Sequence, residues 1–321
     1  MRKLPLCLMI SALMASASAY AETVFVTLEK DNAIAVVDPV DAKLLKTVNV
    51  GQRPRGIAVS PDGKTVFVAT SDDDTIKMLD ADSLKEIARL PSGEDPETFA
   101  LSPDGKSMVV SNEDDAEVTV IDIASRKAQG KIKVGVEPEG IATSPDGQWT
   151  VSASETTNML HWIDNKTRTI IDNTLVDPRP RAVAFTADSQ QLWATSEMAG
   201  TLTIVDVASK QILQNLALEV PGVSSDLIQP VGVVVDKARR YGYVAMGPAN
   251  RVAVIDAQTF KVEKFLLVGQ RVWNLAFSPD QSRLYTTNGI SNDISIIDLN
   301  EHKVVKSLAV GRYPWGVAVK P

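Results

Sequence analysis

Two histidines and a single cysteine are all that 321 residues offer in nitrogen and sulfur metal ligands. They leave little from which to build a His/Cys metal centre, and no CxxCH haem attachment is present. Positive charge is also in deficit, with 33 Lys+Arg against 40 Asp+Glu and a formal net charge of −7. General nucleic-acid binding needs a basic surface that displaces counterions, so this balance argues against it. No stretch keeps a helical period, and beyond the first 21 residues none is apolar enough to cross a membrane. What remains is 44% hydrophobic and 23% charged, the composition of a globular protein rather than a disordered one.

Residues 1–21 read as an address. Arg2 and Lys3 precede an apolar run from Leu4 to Ala15, and small residues end in Ala19-Tyr20-Ala21, the pattern cut by signal peptidase. Cys7 precedes most of the apolar run, where a lipid-attachment cysteine does not stand. Export with cleavage after Ala21 is expected. The mature chain, residues 22–321, then has no cysteine, and 31 basic residues face 40 acidic ones. A periplasmic protein without membrane insertion follows from this reading.

The rest is one unit repeated. An aspartate ends an alternating apolar run at Asp38, Asp80, Asp122, Asp164, Asp206, Asp256 and Asp298, at spacings of 42 residues with one of 50. A proline opens a small-residue strand at Pro54, Pro96, Pro138, Pro180, Pro230 and Pro314, with Val272 in the remaining slot. Both markers place an eight-residue insertion between Leu216 and Gln229. Each unit reads as four strands. In residues 54–93 these are Gly56 to Val59, Thr65 to Thr70, Thr75 to Leu79 and Lys85 to Leu90. Ser60-Pro61-Asp62-Gly63 and the polar run from Ser71 to Asp74 supply the turns between them. The third strand alternates large apolar residues with Ala35, Lys77, Thr119, His161, Thr203, Ala253 and Ser295, giving one apolar face and one small or polar face.

Seven four-stranded units of about 40 residues predict an all-β, seven-bladed β-propeller. The mature chain begins with a second-type strand, Thr23 to Thr27, and ends with an orphan first-type strand, Gly316 to Val319. Joining them completes one blade and hides both edges.

Val24-Phe25-Val26-Thr27, Val66-Phe67-Val68-Ala69-Thr70, Leu284-Tyr285-Thr286-Thr287-Asn288 and the run from Pro54 to Gly63 carry a resemblance to the YVTN family of β-propellers. It extends over the whole mature chain. Within that family a secreted seven-repeat form is similar to the propellers associated with pyrroloquinoline quinone (PQQ)-dependent alcohol catabolism. The resemblance implies partners among ABC-type transport components or a PQQ-dependent dehydrogenase. It specifies fold strongly and function weakly.

Alignment of the repeats isolates the positions that vary. After the marker proline, at the expected channel mouth, stand Trp315, Arg55, Glu97, Glu139, Arg181, Val231 and Trp273. Nine residues before each marker aspartate stand Glu29, Ser71, Glu113, Glu155, Glu197, Gly247 and Gly289. Glu97, Glu113, Glu139 and Glu155 would suit a hard cation such as Ca2+ or a lanthanide; otherwise they are loop charges paired with arginines. Arg55, Arg181, Trp273 and Trp315 would suit a flat polycarboxylate such as PQQ; otherwise the tryptophans plug the channel. The marker aspartates read as turn caps. His161 and His302 have no nucleophile at a recognisable motif beside them. The Leu216–Gln229 insertion is long enough for a lid or docking arm.

The expectation is a non-enzymatic binding or scaffold protein acting through its mouth face. A lactonase-like propeller using Glu97 or Glu139, and a pure protein–protein docking platform, are the rivals. A PQQ dehydrogenase itself is disfavoured, because its tryptophan-docking repeats and eight blades are missing.

Overall fold

Short strands rich in β-branched residues, punctuated by Pro, Asp and Gly, fold into hairpins that cannot bury both faces alone. The computed structural model, which describes residues 22–320, stacks these hairpins around an axis as seven four-stranded antiparallel sheets. The expected signal peptide, residues 1–21, lies outside the described residues. We number the blades from the one holding the N-terminus. Blade 2 has Pro54–Val59 innermost, then Thr65–Thr70, Thr75–Asp80 and Glu86–Pro91 outermost. The innermost strands touch one another in a closed ring. Among the described residues no helix is long and apolar enough to cross a membrane.

The turns follow the expected chemistry. In blade 2 the Asp62 carboxylate accepts from the Lys64 N–H at 3.1 Å, and Gly63 adopts φ +71°. All seven marker aspartates accept turn N–H groups after the third strand, as Asp80 does from Ser83 at 2.8 Å. They are structural caps.

Closure occurs where it was expected. Pro314–Lys320 pairs antiparallel with Thr23–Leu28, with Thr23 opposite Lys320 and Val26 opposite Val317, so blade 1 combines both ends of the chain.

The small or polar face of the third strand is covered as well as the apolar one: Ala35, Thr119, Thr203, Ala253 and Ser295 are all buried, as are Lys77 and His161. Radial stacking covers both faces of every blade, and smaller side chains sit where two sheets approach. The insertion is not a free arm. Leu218, Val220 and Ile228 are buried with Trp193 and Met246, which pins it between blades 5 and 6. Between these anchors the chain is exposed at Pro221 and Gly222 and around the 3-10 turn Ser225–Leu227. It also shortens the innermost strand of blade 6 to Val233–Val235.

Candidate functional site

Three concentric sets of residues meet at the mouth. The innermost strands deliver Arg55, Glu97, Glu139, Arg181, Trp273 and Trp315, and Val231 stands two residues ahead of the shortened blade 6 strand. The hairpins between second and third strands bring Glu29, Glu113, Glu155 and Glu197 alongside. The third set is the residue before each marker position: Arg53, Asp95, Glu137, Arg179, Gln229, Arg271 and Tyr313. It has the same 42-residue period and could have been read from the repeat alignment. Six of these seven have left-handed backbones, with φ from 44° at Asp95 to 62° at Arg179.

That strained conformation is held from two sides. The backbone carbonyl accepts from the same blade's hairpin, as in Glu155 N–H to Glu137 O at 2.9 Å and Glu197 N–H to Arg179 O at 2.8 Å. The N–H is taken by a side chain of the preceding blade: Arg53 by Asn32, Asp95 by Asp74, Arg179 by Asn158, Arg271 by Asn250 and Tyr313 by Asn292, all between 2.8 and 3.1 Å. Loop positions are therefore fixed by the scaffold.

The charges form two networks. In one, Glu97 is fully buried and bonds Arg55, while its second oxygen lies 3.0 Å from Arg53. Arg53 also forks onto Asp95 at 2.7 and 3.0 Å. In the other, Arg181 meets Glu139 at 2.6 Å and also bonds Glu155. Arg179 bridges Glu155 and Glu197 at 3.0 and 3.1 Å, and Arg271 joins Glu197 to Gln229. The four glutamates expected as one cation site are thus divided. Glu97 and Glu113 converge with Asp95, carboxylate oxygens within 4.8 Å of one another, whereas Glu139 and Glu155 turn to Arg181.

The tryptophans belong to the same constellation. Trp273 is flanked by Arg271 at 4.3 Å and Arg181 at 6.0 Å, and Trp315 lies 5.5 Å from Arg55. With Val231 and Tyr313 they form an apolar cluster at the mouth. Below it, a channel cavity of about 160 Å³ is lined by Thr98, Glu139, Arg181, Val231, Asn274 and Trp315 among others.

Burial and crowding raise three carboxyls. Glu97 titrates high because burial outweighs its two arginines. Glu113 is pushed up to about 8 by burial and by the negative charges of Glu97, Glu139 and Asp95. Glu139 is raised chiefly by burial. Burial opposes the charge of Arg55 and Arg181, but the surrounding carboxylates more than offset it and both stay protonated. Three buried side-chain N–H donors find no hydrogen-bond acceptor among the described residues: Arg55 Nε, Arg181 Nε and Trp273 Nε1. The carboxylates of Glu29 and Glu197 stand 3.6 Å from Arg55 Nε and Arg181 Nε, beyond hydrogen-bond reach.

The histidines are held structurally. His161 Nε2 accepts from the Gly135 N–H at 2.9 Å and Nδ1 faces Asn173 Oδ1 at 2.5 Å, which sets a neutral tautomer. His302 bonds the Tyr243 hydroxyl at 3.0 Å on the opposite side of the ring.

The closed ring and the repeat motifs define the chain as a YVTN-like seven-bladed β-propeller. The YNCE-like beta-propeller family model matches residues 65–171, and the WD domain, G-beta repeat model matches residues 44–80. None of the curated proteins matches its sequence. Among solved structures it is similar to the Kuenenia stuttgartiensis hydrazine synthase, at 21% identity and TM-score 0.79 over 86% of this chain and 92% of that one. A functionally unknown protein from Desulfotomaculum acetoxidans DSM 771 gives 15% and 0.78 over 92% and 98%. Dihydro-heme d1 dehydrogenase NirN, in complex with DHE, gives 17% and 0.67, over 89% of this chain and 63% of that one. At these identities the likeness concerns the fold.

Proposed function

We propose that the chain is an exported, non-enzymatic binding propeller whose channel mouth takes a small, acceptor-rich anion. In this reading it serves PQQ-dependent alcohol catabolism beside ABC transport components or a PQQ-dependent dehydrogenase. The observation that carries the ligand class is the set of unpaired buried donors on Arg55, Arg181 and Trp273. Buried N–H groups left without acceptors are costly, and a carboxylate or quinone oxygen would satisfy them where a cation would not. The guanidinium–indole stacks favour a flat ligand for the same reason. Arg53 already neutralises the Asp95/Glu97 pair, which weakens the case for a metal there.

Titration calorimetry of the mature chain with PQQ, small dicarboxylates, Ca2+ and a lanthanide tests the assignment. PQQ or a dicarboxylate is expected to bind, with affinity lowered about tenfold in Trp273→Phe, which removes the unpaired N–H and keeps an aromatic ring. Silence with every anion would overturn it, and cation binding abolished by Glu113→Gln would replace it with the metal site. Mass spectrometry of a periplasmic fraction should find an N-terminus at Glu22; an intact Met1 in that fraction would remove the export step.

A further inference from the structure

The seven blade junctions are filled by the same device, with one exception. Each has an apolar cluster, and six contain a buried ring: Phe25, Phe67, Trp162, Trp193, Tyr243 or Tyr285. The junction of blades 3 and 4 has none; where Trp193 and Phe67 stand in their blades, blade 3 has Val109. A periodic residue of the turn after the third strand closes several junctions from below. Phe260 lies edge-on to Trp193 at 6.1 Å, His302 bonds Tyr243, and Lys210 lies 5.0 Å from the Trp162 ring. At blade 4 that residue is Arg168, which stays exposed and bonds the Gln129 carbonyl at 3.1 Å.

A cavity of about 490 Å³ opens at this junction, on the side of the ring opposite the mouth. Its floor includes Met108, Val109 and Ile163, and Asp104, Asp122 and Asp146 stand at its polar edge with Arg168 as the single cation. The volume falls within the ~300–1,000 Å³ of small-molecule sites. An apolar floor that lacks its ring, beneath three carboxylates and one guanidinium, complements an aromatic ring bearing a positive charge. We propose that the blade 3–blade 4 cavity is a second ligand site, for a small arylalkylammonium compound whose ring takes the place left by Val109 and whose ammonium faces Asp122 and Asp146.

Ligand-observed NMR and calorimetry on the mature chain, with tryptamine as the probe, decide this. Tryptamine is expected to bind saturably with a dissociation constant at or below about 1 mM. Indole-3-acetate, with the same ring and opposite charge, should bind about tenfold more weakly, as should tryptamine to Asp122→Asn/Asp146→Asn. Val109→Trp should abolish binding without lowering the thermal midpoint, because it supplies the ring the other junctions have. No tryptamine binding to the wild type at that concentration would overturn the site. So would indole-3-acetate binding equally well, or tryptamine binding undiminished in Val109→Trp. If Val109→Trp does not fold, the paired aspartate variant carries the decision, because each asparagine keeps the side-chain oxygen that caps its turn and removes only the charge.

Discussion

Glu113 is the mouth residue whose behaviour follows most directly from its neighbours. Its carboxyl is half-buried against Glu97 and Asp95, so the folded protein holds it protonated up to about pH 8, whereas an ordinary glutamate releases its proton near 4.5. Between those values the folded state binds more protons than the unfolded one, so this group's contribution to stability is complete below 4.5 and is lost as pH rises through 8. Glu113→Gln keeps a donor toward Glu97 and removes the titration. Its thermal midpoint should match the wild type at pH 5 and exceed it by about 1–3 °C at pH 9. A difference independent of pH, measured by calorimetry across that range, would remove charge crowding as the cause. The glutamate at position 113 was legible in the repeat alignment, because hairpin residues free of scaffold duty stand out against six counterparts. Its partnership with Asp95 was not, since Asp95 lies in the set just before the marker proline. The grouping of Glu139 and Glu155 around Arg181 was hidden for another reason. Which guanidinium a carboxylate selects depends on side-chain reach, which spacing does not encode.

Among the elements, the hairpin between second and third strands has the most regular task, from which two blades depart, blade 5 with Gly200 at φ 66° and blade 3. Its left-handed residue, at φ 50–60° in Asn32, Asp74, Asn158, Asn250 and Asn292, lends a side-chain oxygen to the next blade's entry loop. Asparagine and aspartate tolerate that backbone better than other side chains. In blade 3 the residue is Ala116 at φ 50°, which has no acceptor to offer Glu137. Ala116→Asn should therefore relieve backbone strain and add a hydrogen bond, stabilising the protein by about 1 kcal/mol. Asn158→Ala should cost about the same. Urea unfolding midpoints at unchanged slope measure both, and a neutral Ala116→Asn beside a costly Asn158→Ala would mean that the blade 3 loop is held another way. The strand periodicity was readable without a structure, although alternation alone reports only one covered face. Burial of the smaller face followed from the radial stacking that seven repeats imply.

At the scale of the whole molecule, stability depends on closing a ring rather than on any one blade. The repeat spacing and the complementary strands at the two ends made this topology legible, because closure demands that a missing strand at one end reappear at the other. Its energetic weight is concentrated in Pro314–Lys320, which covers the edge of Thr23–Leu28, where Val24, Val26 and Leu28 are fully buried. Removing that strand exposes an unpaired edge and this apolar surface together, and blades 7 and 2 lose their common neighbour. A chain ending at Arg312 should therefore lose its cooperative thermal transition rather than shift it by a few degrees. Because Thr23 lies opposite Lys320, the two ends can also be joined by a two-residue Asn-Gly turn running from Lys320 to Thr23. The ring can then be opened at exposed Gly222 in the insertion, where a Cβ would meet nothing within 4 Å. This permutant retains every blade and every junction, and should unfold in one transition at or above the wild-type midpoint. Calorimetry on the pair separates the contributions. If the truncated chain unfolded as cooperatively as the wild type, blade autonomy rather than closure would hold the propeller together. If the permutant lost cooperativity as well, the anchoring of Leu218, Val220 and Ile228 in the insertion, not the seam, would be the element on which the ring depends.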